Sequence, residues 1–94
     1  MAVNVSVALG LFKTALGVTH GKRDDYFISM LTAAHTELAG RGVVLDLDQV
    51  EDNMLLADYA EFCYRNRDGA KEMPRNLELR IRNRKARGRV DRGT

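Results

Sequence analysis

The sequence predicts an all-α protein: a small bundle of about four helices with a central apolar helix and a basic, partly disordered C-terminal tail. Two observations support this prediction. Apolar residues recur at spacings of three and four in separate segments, and glycines or short polar runs divide these segments. The chain has only 94 residues, which is enough for a single domain.

The first helix is predicted from about Asn4 to Leu16, because one face of this segment is apolar. The side chains expected to face the core are spaced by four, three and four positions: Val5, Leu9, Phe12 and Leu16. Gly17 follows, where a glycine in the left-handed conformation commonly ends a helix. A short polar connection should then lead to the second helix.

The second helix should begin near Asp25, because Asp24 or Asp25 can offer a carboxylate to the free N–H groups of the first turn. Its apolar side chains again repeat at four, three and four positions: Phe27, Leu31, Ala34 and Leu38. Gly40 and Gly42 come directly afterwards. The helix is therefore expected to end near Ala39.

A third, central helix is predicted beyond the short extended link 43–45. Asp46 has the position of an N-cap residue and Gln49 can reach back to it, which is the capping-box pattern. Only two residues between positions 54 and 64 are charged, so apolar side chains cover most of the helix circumference. Such a helix has to be covered on several sides by the other helices or by another subunit.

The last segment opens at Pro74, whose missing N–H does no harm at a helix start. Residues 76–82 are ambiguous, because two of their apolar side chains fit one helix face and all three alternate as in a strand. The proline and the cationic end favour a helix to about Ala86. The sequence therefore predicts a helical domain over residues 1–87 and a disordered basic tail over residues 88–94.

Charge is distributed unevenly, although the net charge is only +2. Residues 1–72 hold 7 basic and 11 acidic side chains, a net of −4, whereas residues 73–94 hold 8 and 2, a net of +6. An acidic body with a basic arm can meet nucleic acid, an acidic protein surface or the acidic face of another copy. The excess of arginine over lysine favours bidentate pairing with carboxylate or phosphate.

No residue pattern predicts an active site, a cofactor site or a metal site. His20, His35 and Cys63 share no ligand spacing, and no nucleophile has a histidine base placed near it by a recognised pattern. The segment from Gly17 to Lys22 lacks two positions that a phosphate-binding loop requires. The acidic pairs lie at predicted helix starts, where capping and the helix dipole explain them. We therefore expect that the protein is not an enzyme.

The lone cysteine and the hydropathy pattern bear on the compartment. Cys63 has no partner for an internal disulfide and fits a small buried side chain in a reducing compartment. No apolar run approaches the roughly 18 residues of a membrane span, and the N-terminus lacks the basic start of a secretory signal. A soluble protein made in the cytosol, without membrane contact, is expected.

The order of these segments, closed by one specific run, resembles a known family. The central segment 54–60 is followed by Tyr64-Arg65-Asn66-Arg67-Asp68 and then by Met73-Pro74-Arg75-Asn76-Leu77. This run resembles the phage head-tail connector family, whose members are also described as head completion or DNA-packaging proteins. The resemblance covers about residues 5–85.

The resemblance implies a structural virion protein without catalytic residues or cofactors. Such a subunit forms a homo-oligomeric ring of about a dozen copies at the virion neck, after assembly in the bacterial host cytoplasm. Its partners would be the portal protein on one side and a downstream head-closure or tail protein on the other. DNA would pass through the ring without sequence-specific contact.

Candidate interaction residues follow from the matched run and from the basic arm. They are Tyr59, Arg65, Arg67 and Asp68, as a structural corner, and Pro74, Arg75, Arg80, Arg82, Arg84, Lys85 and Arg87, as the surface for a neighbour or the portal. The alternative is a small nucleic-acid-binding module that places the C-terminal arginines on phosphates. The arm has no interleaved aromatic residue, which argues against a single-strand stacking platform.

Overall fold

The computed structural model describes residues 4–67, 69 and 71–93, with side chains as far as Arg87. Four helices follow one another: α1 (Ser6–Leu16), α2 (Asp24–Gly40), α3 (Val50–Arg65) and α4 (Arg75–Gly93). No strand occurs within these described ranges. The predicted all-α bundle is therefore confirmed, and residues 76–82 are helical.

Helix α3 is the centre of the bundle, as its nearly all-round apolar sequence predicted. It packs against α1, α2 and α4, whereas α4 packs on no other described helix than α3. The buried side chains contributed by α3 are Leu55, Leu56, Ala57, Tyr59 and Ala60. The fourth helix is therefore held to the rest of the molecule mainly through one helix face.

The predicted core stripes of the first two helices are present. All four residues predicted for α2, Phe27, Leu31, Ala34 and Leu38, are buried. In α1, Val5, Ala8 and Phe12 are buried, and Leu9 and Leu16 are partly buried against the same core. The ring of Phe12 makes edge-to-face contacts with Phe27 and Tyr64, with ring centroids 5.1 and 5.9 Å away.

Glycines in the left-handed conformation end the first two helices. Gly17 has φ 74°, and Val18 N–H donates to the carbonyl oxygen of Lys13 at 2.9 Å. Gly42 has φ 90°, and Val43 N–H donates to the carbonyl oxygen of Leu38 at 2.8 Å. In both places the two closing hydrogen bonds of a Schellman motif form, as the glycine positions predicted.

The start of α3 differs from the prediction. Asp46 does not cap the helix: its side chain accepts the N–H of Asp48 at 3.0 Å, and its carbonyl accepts the N–H of Gln49. Helix α3 begins four residues later, with Gln49 at the N-cap and no side-chain hydrogen bond there. The capping box was therefore wrong, because the aspartate stabilises a preceding turn instead.

Helix α4 extends further toward the C-terminus than the sequence predicted. Helical backbone continues from Arg75 to Gly93, past the expected end at about Ala86. The side chains of residues 88–93 and the whole of Thr94 lie outside the described residues, so the disordered tail stays a prediction.

Across the described residues, no helix combines the length and apolar character needed to cross a bilayer.

Candidate interaction surfaces

The inner face of α4 carries arginines that meet carboxylates of α3. Arg80 donates to Asp58 Oδ2 at 2.7 Å, and Arg84 Nε donates to Asp52 Oδ1 at 3.0 Å. One turn further on, the guanidinium of Arg87 lies 3.7 Å from Asp52 Oδ1. The spacing 80, 84, 87 places all three on one face of a helix that runs antiparallel to α3.

Asp52 is the deepest charged group on this face, with 2% of its surface exposed. Its Oδ2 accepts the backbone N–H of Asp46 at 2.7 Å and Arg84 Nη2 at 3.0 Å. Arg84 also donates to the carbonyl oxygen of Val44 at 3.1 Å. A buried carboxylate thus ties together the helix α4, the start of α3 and the link that precedes it.

Sequence reasoning assigned this aspartate only to the helix start and missed its partner. A signal was present: acids at positions 51, 52 and 58 face arginines at 87, 84 and 80 when α3 and α4 are set antiparallel. Asn53, also buried, donates from its side chain to the carbonyl oxygens of Leu47 and Gln49, each at 2.9 Å. Both polar side chains therefore stabilise the link into α3.

A shallow groove of about 370 Å³ lies between α3 and α4. Its lining residues are Glu51, Asp52, Met54, Leu55, Arg80, Asn83, Arg84 and Arg87. The cations of this groove pair with carboxylates of the same chain, so the groove has a mixed character and no excess of positive charge. It resembles a helix-packing seam more than a pocket built for a small ligand.

The remaining predicted interaction residues lie in several different settings. Arg65 pairs with Glu61 and Arg82 with Glu78, each at 3.0 Å along its own helix. Pro74 and Arg75 are exposed at the start of α4. Asp68 lies outside the described residues. The structure therefore does not bring these predicted residues together on one face.

Lys85 and Tyr59 belong to the interior more than to an outer surface. A side chain at position 42 would come within 3.1 Å of Lys85 Cε, so the lysine stem lies against Gly42. Tyr59 is 2% exposed, and its hydroxyl donates to Glu37 Oε1 at 2.8 Å. Tyr59 is therefore buried within its own chain, and its place in a structural corner stays a prediction.

Burial also raises the pKa of two α3 side chains, Tyr59 and Cys63. Burial, followed by the hydrogen bond to Glu37, raises the pKa of Tyr59 well above that of a free tyrosine. Burial likewise raises the pKa of the Cys63 thiol. Both side chains are therefore neutral at physiological pH, and the thiol is a poor nucleophile.

A second cationic region surrounds Tyr64 at the end of α3. Arg23 Nη1 donates to the Tyr64 hydroxyl at 3.2 Å, and the Arg67 guanidinium lies 4.9 Å from the centre of the same ring. An open groove of about 600 Å³ is lined by Tyr64, Arg65, Arg67 and Lys71. We call this the Tyr64 groove. Sequence reasoning named Arg65 and Arg67 as interaction residues but missed Arg23, which is 41 residues from Tyr64 in the chain.

The described residues contain no group of three or more acids, histidines or cysteines that could hold a metal ion. His35 Nε2 lies 3.3 Å from the carbonyl oxygen of Leu45, and the ring is partly exposed on α2.

Comparisons with known proteins do not identify a family for this chain. No family model, no curated protein and no solved structure matches the chain.

Proposed function

We propose that this protein is a structural subunit that assembles with copies of itself and with other virion proteins. The observation that carries the proposal is a set of exposed apolar side chains spaced four residues apart. Val7 and Leu11 on α1 are 52% and 36% exposed, and Val50 and Met54 on α3 are 64% and 46% exposed. Pairs at this spacing form apolar stripes on helix surfaces, as expected where a neighbouring subunit packs.

The size of the core supports the same proposal. A chain of this length buries only about 60 to 65% of the surface that its unfolded form exposes, so its free energy of unfolding as a monomer is modest. Association adds stability when neighbours cover apolar surface that the monomer leaves open. A head-to-tail arrangement around a closed axis would cover two different faces of each subunit.

The specific role we propose is that of a head-tail connector. It rests on the resemblance of the run from Tyr64 to Leu77 and the preceding helices to that family. In this role the subunit forms a ring at the virion neck between the portal and a head-closure or tail protein. The ring extends the DNA channel and completes the head, after assembly in the host cytoplasm.

Light scattering coupled to size-exclusion chromatography tests this proposal, with the protein alone and mixed with the portal of the same phage. We expect a ring-sized species, or a complex with the portal. The double variant Val7→Ser/Leu11→Ser should weaken assembly and stay folded, because both side chains are exposed. The matched control is Thr14→Ser, an exposed change on the same helix. A wild-type monomer that ignores the portal contradicts the proposal.

The alternative function, nucleic-acid binding by the C-terminal arginines, has less support from the described side chains. Arg80 and Arg84 are engaged by carboxylates of α3, so their charge is largely neutralised within the chain. Arg75 and Arg82 remain exposed on the outer side of α4. Binding that disappears on deletion of residues 88–94, which shortens α4 but leaves residues 75–87 in place, would favour this alternative over the ring.

A further inference from the structure

Cations from three separate parts of the chain lie around Tyr64: Arg67 and Lys71 line the Tyr64 groove, and Arg23 lies beside it at the tyrosine hydroxyl. Arg23 precedes α2, Arg67 follows α3, and Lys71 lies in the connection to α4. The first two contact the same tyrosine, one at its hydroxyl and one over its ring.

These cations lack acidic partners, unlike the arginines of α4. Among the described residues, no carboxylate lies within ion-pair distance of Arg23, Arg67 or Lys71. Only Arg65, on the groove wall, pairs with an acid, Glu61. The positive charge of this groove is therefore available to a ligand.

Helix capping does not explain the position of Arg23. It is the N-cap residue of α2 and makes no capping hydrogen bond with its side chain. The positive end of the helix dipole disfavours a cation at this position, where an aspartate, serine or asparagine would stabilise the helix. Its guanidinium instead lies 5.3 Å from the ring centre of Tyr26, a side chain that is 43% exposed. The same guanidinium lies 5.4 Å from the ring centre of the buried Phe27, so cation–π contacts offset part of the unfavourable helix position.

We infer that the Tyr64 groove binds the sugar-phosphate backbone of nucleic acid. Arg23, Arg67 and Lys71 contact phosphate oxygens, and Tyr26 and Tyr64 offer apolar ring surface to sugars or bases. An open groove suits a polymer that enters and leaves at both ends, and guanidinium groups pair bidentately with phosphates. The inference goes beyond the proposed ring, because it assigns a ligand to a site that assembly does not require.

The experiment measures fluorescence anisotropy of a labelled 20-nucleotide DNA, single-stranded or as a duplex of the same sequence. The test variant is Arg67→Gln/Lys71→Gln, and the control is Arg75→Gln/Arg82→Gln. Both remove two exposed cations, so the net charge of the two variants is equal. Circular dichroism confirms that each variant remains helical.

We expect wild-type protein to bind at about 50 mM salt, and the test variant to bind about tenfold more weakly with a salt dependence reduced by about 1.5 in the log-log slope. The control should lose less than about threefold. Tighter binding of the single strand than of the duplex supports stacking on the tyrosines. Equal losses in the two variants, or no wild-type binding at this salt, overturn the inference.

A competition arm separates nucleic acid from an acidic protein. Unlabelled polyglutamate of matched charge should displace the DNA at least tenfold less effectively than unlabelled DNA does. Displacement at equal concentration overturns the assignment to nucleic acid. Light scattering on the same variants keeps this outcome distinct from assembly, because the groove substitutions leave Val7 and Leu11 untouched.

Discussion

The two cationic regions of this molecule have similar residues and opposite surroundings. On α4, Arg80 and Arg84 donate to Asp58 and Asp52, and the second of these pairs is buried. In the Tyr64 groove, Arg23 and Arg67 contact an uncharged tyrosine. The first region therefore holds the fold together, whereas in the second no described carboxylate pairs with either of these two arginines.

The difference shows why a count of arginines does not locate a docking surface. Residues 73–94 carry most of the excess positive charge of the sequence, yet much of the charge on the described inner face of α4 is neutralised by α3. The described lining of the Tyr64 groove has three cations, of which the sequence analysis named Arg65 and Arg67 but not Lys71. What matters for a partner is the charge left unpaired after folding.

The largest expected effect is that of Asp52→Asn. It leaves the 15%-exposed Arg84 side chain without its carboxylate, so the free energy of unfolding should fall by about 3 kcal/mol. Urea denaturation followed by circular dichroism measures the change. The matched control, Asp58→Asn, removes an exposed carboxylate and should cost less than about 1 kcal/mol. Equal losses would show that the inner face of α4 is not anchored at Asp52.

The next largest effect is a pH dependence of the free energy of unfolding, which arises from the core residue Tyr59 and not from the arginines of the two cationic regions. The folded-state pKa of Tyr59 is raised, so the unfolded chain loses this proton first as the pH rises above the ordinary value of 10.0. The free energy of unfolding should therefore be unaffected by Tyr59 below that pH and fall above it, by up to about 1.4 kcal/mol per pH unit. Arginine stays charged over this range.

Urea titrations at pH 8, 10 and about 11 check this slope against the variant Tyr59→Phe, which keeps the ring and lacks the titrating hydroxyl. The variant should lose less stability on the alkaline side. Identical pH profiles for the two proteins would place the alkaline loss elsewhere, for example at Cys63, whose pKa is also raised.

The smallest expected effect is that of Arg80→Gln. Its partner Asp58 has 44% of its side chain exposed, so the loss should be about 0.5 kcal/mol at low salt. In about 1 M salt, where the screening length is roughly 3 Å, the difference from wild type should vanish. A loss that persists in high salt would mean that the arginine contributes by packing against α3 instead of by charge.

Helices were predictable from this sequence, whereas polar contacts between them were not. The stripe from Phe27 to Leu38 specified α2, and Gly17 and Gly42 marked helix ends through their φ values. Periodicity and glycine position are local signals, so each helix can be predicted from its own segment of sequence alone. The all-α class and the central place of α3 followed from them.

The errors arose where a side chain had a choice of partners. Asp46 was assigned to a helix cap and instead stabilises a turn, while Asp52 lies in the first turn of α3 as predicted but also pairs with Arg84, 32 residues away, which was not predicted. Tyr64 and Arg23 meet only because α1 and α2 fold back on α3. Such partners depend on tertiary packing, which no local pattern contains.

A double-mutant cycle tests most directly whether the arginines of α4 stabilise the fold by pairing with carboxylates of the same chain. It compares wild type, Asp52→Asn, Arg84→Met and the double variant by urea denaturation. We expect a coupling energy of about 1.5 kcal/mol or more between the two positions, because each single change removes the opposite charge that lies 3.0 Å from a largely buried partner. Additive effects, with a coupling energy within about 0.5 kcal/mol of zero, would show that Asp52 and Arg84 do not stabilise the fold as a pair.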